Sequence, residues 1–178
     1  MQIFKLIPFH SNITPPININ CEIGRIENQL SIRYEVGGQI DQINFPIKSS
    51  SPSRKDDLWK ATCFEFFIAI PGQPQYWEFN MSPSGDWNAY VMDAYRRVGF
   101  REETAITKLP FKFERHGSIT ILELSVDLNS LFQASQPLQV GITAIIQTTD
   151  SQEIYWAPVH PGPQADFHLR ESFILELY

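Results

Sequence analysis

A carboxylate inside an aromatic run is the first chemical signal in the chain: Glu65 sits within Cys63-Phe64-Glu65-Phe66-Phe67-Ile68. Buried without a partner it would cost several kcal/mol, so it must reach water, a cation or a ligand hydroxyl. A second acid, Glu78, lies in residues 75–81 with Tyr76 and Asn80, and residues 87–93 add Asn88 and Tyr90. Two chemistries fit these types. Paired carboxylates on neighbouring strands can serve as acid and base for glycoside cleavage, whereas carboxylates, amides and phenols on one surface form a hydrogen-bonding floor for a ligand. The segment around Glu65 carries only that one acid, where acid-based catalysis on a jelly roll places several at alternate positions. No nucleophile elbow, zincin helix, Walker loop or dinucleotide fingerprint is present. Binding without catalysis is the expectation. His160 and His168 flank Pro161-Gly162-Pro163, but a metal centre needs at least one more ligand, such as Asp166 or Glu65. Hydrogen bonding to backbone is the expected use of both rings, and no metal site is expected.

The elements that position these residues read as strands. Residues 17–26 and 29–36 alternate apolar and polar side chains around a turn at Glu27 and Asn28, a hairpin signature. Residues 62–70 are apolar on both faces except for Glu65, as in a central strand covered on each side. Residues 75–81 and 87–93 flank Ser82-Pro83-Ser84-Gly85-Asp86, which is turn chemistry. Further strands are expected at 119–126, 138–147, 152–157 and 167–177. Helical material is confined to single turns at 127–132 and 53–60. The Ser/Pro-rich residues 48–55 form a loop inside one domain covering 1–178, with no internal repeat. This pattern predicts an all-β, antiparallel β-sandwich of the immunoglobulin-like or jelly-roll kind.

With 82–86 as the loop, Met81 faces Trp87, Asn80 faces Asn88, Phe79 faces Ala89 and Glu78 faces Tyr90. Side chains alternate along each strand. Trp77, Phe79, Met81, Trp87, Ala89 and Val91 therefore share the core face, and Tyr76, Glu78, Asn80, Asn88, Tyr90 and Met92 share the opposite one. The second set, with Glu65 beside it, is expected on a concave or solvent-facing surface.

Composition narrows the partners. The 178 residues are 43% hydrophobic, 13% aromatic and 19% charged, with thirteen prolines. That is globular composition leaning toward strands and turns. A net charge of −6 with scattered basic residues argues against nucleic acid. Cys21 and Cys63 show no metal or redox spacing and read as two buried thiols. The apolar amino-terminal stretch is broken by Lys5 and Pro8, too short for a signal-peptide core, and no run nears a membrane span. A cytoplasmic protein with no membrane association is the expectation.

The run Asp57-Leu58-Trp59-Lys60-Ala61-Thr62-Cys63-Phe64-Glu65-Phe66-Phe67, followed by Tyr76-Trp77-Glu78-Phe79-Asn80-Met81-Ser82-Pro83-Ser84-Gly85-Asp86-Trp87-Asn88-Ala89-Tyr90, resembles the bacterial DOMON-like proteins. These are grouped with the family-9 carbohydrate-binding modules and, more distantly, with haem-binding DOMON cytochromes. Tyr155-Trp156-Ala157-Pro158-Val159-His160-Pro161 and Asp166-Phe167-His168 fit the same group. The resemblance implies a sugar held between tryptophans, with carboxylates and amides on its hydroxyls. Trp59 and Glu65 match that arrangement, and Trp156 is the candidate second tryptophan. For the haem-binding relatives it implies methionine and histidine ligands, here Met81, Met92, His160 or His168, and the analogy with family-9 modules would allow calcium at a carbonyl and carboxylate loop. Neither haem nor calcium is expected here. The ligand-binding set is then Trp59, Glu65, Tyr76, Glu78, Asn80, Asn88, Tyr90, Trp156, His160 and His168, for a saccharide or other small molecule. A protein-interaction or structural module, including a homodimer, is the alternative.

Overall fold

The computed structural model describes residues 1–9, 16–96 and 98–178. Among the described residues, eleven antiparallel strands form one hydrogen-bonded path, with a twelfth paired beside it, and fold into two layers. The first layer runs β1 (Gln2–Pro8), β2 (Ile17–Ile26), β3 (Gln29–Gly38), β9 (Ile119–Asp127), β8 (Phe111–His116). The second runs β7 (Arg101–Glu102), β6 (Trp87–Met92), β5 (Tyr76–Met81), β4 (Cys63–Ala69), β10 (Leu138–Gln147). The far edge of β10 is shared by β11 (Glu153–Ala157) and β12 (Leu175–Leu177). Strand β1 joins the layers: Gln2 to Leu6 pair with β2, and Ile7 and Pro8 pair with β11.

Alternation builds the core between the layers. Ile19, Cys21 and Ile23 from β2 and Ile32, Tyr34 and Val36 from β3 face Phe64, Phe66 and Phe79 of the second layer. Phe66 and Phe79, directly opposite in register, stack with centroids 4.4 Å apart. Burying each such ring contributes roughly 1.5–3 kcal/mol. The β2–β3 turn is where the alternation placed it, with Glu27 in the left-handed region at φ 54°.

The β5–β6 hairpin has the expected register throughout, from Met81 opposite Trp87 to Glu78 opposite Tyr90. All of Trp77, Phe79, Met81, Trp87, Ala89 and Val91 belong to the inter-layer core. Two expectations need correction. The closing strand spans only Leu175–Leu177; residues 167–173 are a loop with a 3-10 turn at Arg170–Ser172. Strands β1, β7 and β8 are absent from the expected set: short apolar alternation beside Pro8, a two-residue strand of charged residues, and alternation next to Lys112, Glu114 and Arg115 each carry a weak period-2 signal. The expected single turns are present: residues 127–132 make one hydrogen-bonded turn, Phe132 N–H to Leu128 O at 2.9 Å, and the turn near 53–60 is the 3-10 turn Leu58–Lys60.

Both cysteines are free and buried, Cys21 on the inner face of β2 and Cys63 on the outer face of β4. Among the described residues no helix is long and apolar enough to cross a membrane.

Candidate functional site

The outer face of the second layer is as dry as the core, which corrects the expectation of a solvent-facing band. Tyr76, Glu78, Asn80, Asn88, Tyr90 and Met92 are all between 0% and 6% exposed. The reason lies outside the strands. The turn bearing Trp59, residues 93–96 and Phe100, and residues 158–173 fold over this face; Phe173 packs on Phe67 and Tyr76, Phe167 on Tyr155 and Phe100 on Tyr90 in a second apolar cluster.

Between sheet and cover lies a cavity of about 190 Å³. Its floor is Glu65 and Phe67 of β4, Glu78 of β5, Ile145 of β10 and Tyr155 of β11; its cover is Trp59, Arg96, Ala165, Asp166, Phe167 and His168. A larger hollow of about 510 Å³ on the first layer is lined by Arg33, Glu123 and Phe111 among others. There the Arg33 guanidinium is already neutralised by Glu35 at 2.9 Å and Glu123 at 3.3 Å, and no lining side chain is both buried and unpartnered. The smaller cavity has such a group.

That group is Glu65. It is 2% exposed; Oε2 accepts from Thr143 Oγ1 at 3.4 Å, and Oε1 has no hydrogen-bond partner. Burial pushes its carboxyl well above the usual range, the neighbouring Glu78 adds to the rise, and hydrogen bonds from Thr143 and Cys63 oppose it. Glu65 lies opposite Asn80, and Glu78 opposite Phe67, so the two acids are diagonal neighbours on one face. Asn80 donates from Nδ2 to Glu78 Oε1 at 2.8 Å, which leaves its own buried Oδ1 unpartnered. From behind, the Tyr34 hydroxyl of the first layer donates to the Glu65 backbone carbonyl at 2.6 Å.

The other expected residues divide by role. Trp59, half-buried, lines the cavity and meets Tyr90 edge-on at 6.0 Å. Tyr90 donates to Asp56 Oδ1 at 2.8 Å and stacks on Phe100, so it anchors the cover. Burial first, then Asp56, raises its phenol. Tyr76 bonds His168 Nδ1 at 2.9 Å, fixing the ring of a cavity-lining histidine. Asn88 lies outside the cavity: its Oδ1 accepts from Arg54 at 2.6 Å and its Nδ2 donates to Glu102 at 2.9 Å, tying residues 54–56 and β7 to the sheet.

Two more expected residues lie outside the cavity, as Asn88 does. Trp156 is 2% exposed in the inter-layer core, in phase with Ile154, so it cannot stack on a ligand at the outer face. Its neighbour Tyr155 points outward and lines the cavity in its place. His160 bonds the Ile7 carbonyl at 2.9 Å and packs edge-on against Phe9, outside the cavity. Met81 and Met92 lie on opposite faces of the sheet. Among the described residues no three His, Cys, Asp or Glu side chains gather to hold a metal.

Sequence reasoning missed Tyr155, Arg96 and Phe167 as lining residues and considered Asp166 only as a metal ligand. Asp166 closes the mouth: its Oδ2 accepts from Tyr95 and Arg96, each at 2.7 Å, and its Oδ1 from the His168 backbone N–H at 3.0 Å. Strand parity at Glu153–Ala157 would have exposed Tyr155. Nothing periodic marks the cover.

The geometry describes a small, aromatic-walled recess over carboxylates. No family profile matches the chain, and no curated protein matches it. Solved structures do. A candidate carbohydrate-binding protein from Bacteroides uniformis superposes with a TM-score of 0.68 at 13% identity, covering 99% of this chain and 85% of that one. A family 9 carbohydrate binding module from Caldicellulosiruptor kristjanssonii in complex with glucose gives 0.60 at 13% identity, over 98% and 83%. A family 9 module from the same organism in complex with cellotriose gives 0.53 at 13% identity, over 87% and 71%. This chain thus has the all-β sandwich fold of family 9 carbohydrate-binding modules.

Proposed function

We propose that the 178 residues form a single, non-catalytic carbohydrate-binding domain whose ligand occupies the cavity over Glu65. The observation that carries this reading is the unpartnered Glu65 Oε1 facing a recess walled by Trp59, Tyr155 and Phe167. A sugar ring presents a C–H face that packs on aromatic rings and hydroxyls that require fixed acceptors. At about 190 Å³ the space is below the ~300–1,000 Å³ of drug-sized sites, which suits one ring or the end of a chain. The structural neighbours with glucose and cellotriose bound support the same class of ligand, and kinship with family 9 modules is part of the proposal. Likeness to DOMON-like proteins rests on the motifs alone.

The non-catalytic half of the reading is supported by the acids themselves. Glu78 is engaged by Asn80, and Glu65 is held toward its neutral form, so the pair lacks the exposed, ionised base that hydrolysis requires. The test is a tryptophan-fluorescence titration with glucose, cellotriose and a panel of other mono- and oligosaccharides. Trp77, Trp87 and Trp156 are buried away from the cavity, so a saturable change reports on Trp59. No response to any saccharide overturns the reading, and release of new reducing ends from the oligosaccharides overturns its non-catalytic half.

A further inference from the structure

Within the described lining, the charged oxygens of the covering segments are committed. Asp166 accepts from Tyr95, Arg96 and the His168 backbone, and Arg96, on the exposed side of the mouth, is held by that same acid. Glu65 Oε1 remains unsatisfied at the bottom of the recess, beside a second carboxylate in Glu78. A ligand hydroxyl would supply a hydrogen bond there but no counter-charge, and would leave the buried acid in its neutral form. An ammonium group supplies both. The walls point the same way, since Trp59, Tyr155 and Phe167 line the recess and an aromatic face attracts a cation once water is excluded. Carboxylate below and aromatic rings around form an ammonium-binding arrangement.

We propose that the preferred ligand is an amino sugar, its protonated amine seated on Glu65 and its ring against the aromatic walls. This rests on the carbohydrate reading above and goes beyond it, because glucose and cellotriose are neutral. The fall in Glu65's proton affinity on pairing with a cation is part of the binding free energy. Raised by burial and by Glu78, that carboxyl has most to gain from a positive partner.

The experiment is isothermal titration of the full chain, at neutral pH and low salt, with D-glucosamine, D-glucose and N-acetyl-D-glucosamine in parallel, and cellotriose as a further neutral probe. Glucosamine is expected to bind about tenfold or more tightly than the two neutral monosaccharides, as a charge-assisted hydrogen bond predicts. The preference should shrink with added salt and vanish in Glu65→Gln, whose fold is checked by near-ultraviolet circular dichroism. If glucose or N-acetylglucosamine binds within about threefold of glucosamine, the amine is not recognised and this inference falls while the carbohydrate reading stands. If neither the monosaccharides nor cellotriose binds, both fall. A glucosamine preference that survives Glu65→Gln overturns the assignment of the amine to Glu65.

Discussion

The two faces of the β4–β5–β6 sheet are equally dry and chemically opposite. On the inner face Phe66, Phe79, Met81 and Ala89 reach 0% exposure with no polar atom to satisfy. On the outer face Glu65, Asn80 and Asn88 are 0–2% exposed, and two acceptors, Glu65 Oε1 and Asn80 Oδ1, have no partner. Burial by itself therefore does not distinguish core from site. On these three strands unsatisfied polarity does, since buried acceptors normally find donors and exceptions call for a ligand, a water or a function; elsewhere in the inter-layer core Trp156 Nε1 is also buried without a partner. The inner face is optimised for folding, and the outer face retains a cost that a ligand can remove.

The sharpest way to break the contrast is to damage the inner face. Phe79→Ala removes one half of the Phe66 stack and should lower unfolding free energy by about 3–5 kcal/mol, read by urea denaturation. Less than about 1 kcal/mol would mean that the inner face is not the structural one. Next comes Trp59→Ala at the cavity wall. It should weaken saccharide binding by about tenfold while changing stability by less than about 1 kcal/mol, because the ring is only half-buried. A large loss of stability with intact affinity would reverse its assignment.

The smallest effect is Glu65→Gln in the unliganded protein. The folded-state pKa is raised above the usual 4.5, so the native state binds the proton more tightly than the unfolded chain. Its stabilising contribution is complete below that value and is lost as pH rises through the folded pKa. Gln mimics the neutral acid. The variant should match the parent in acid and gain on it as pH rises above the unfolded value of 4.5. A parent that becomes more stable than the variant at higher pH would show a carboxylate that prefers its charge.

The sequence-to-structure comparison follows the same division. The β5–β6 register was legible because a five-residue turn rich in Ser, Pro and Gly leaves one pairing in which every large apolar side chain shares a face. Glu65 was legible as an anomaly, a charge amid phenylalanines. The cover was not, because residues 93–96, 98–100 and 158–173 have no period, and their placement depends on Tyr76 meeting His168 and Tyr95 meeting Asp166 across the fold. Trp156 misled for a related reason. Residue type suggested a stacking ring, but phase with Ile154 sends it inward and leaves the role to Tyr155.

The hydroxyl of Tyr34 gives the site an unexpected dependency. It crosses from the first layer to the backbone oxygen of Glu65, so the height of the acid above the recess is tied to how β3 packs behind it. Substitutions deep in the opposite layer can therefore shift selectivity without touching the ligand. Proteins of this architecture can diverge in what they recognise from the back of the sandwich, while every residue lining the recess stays the same.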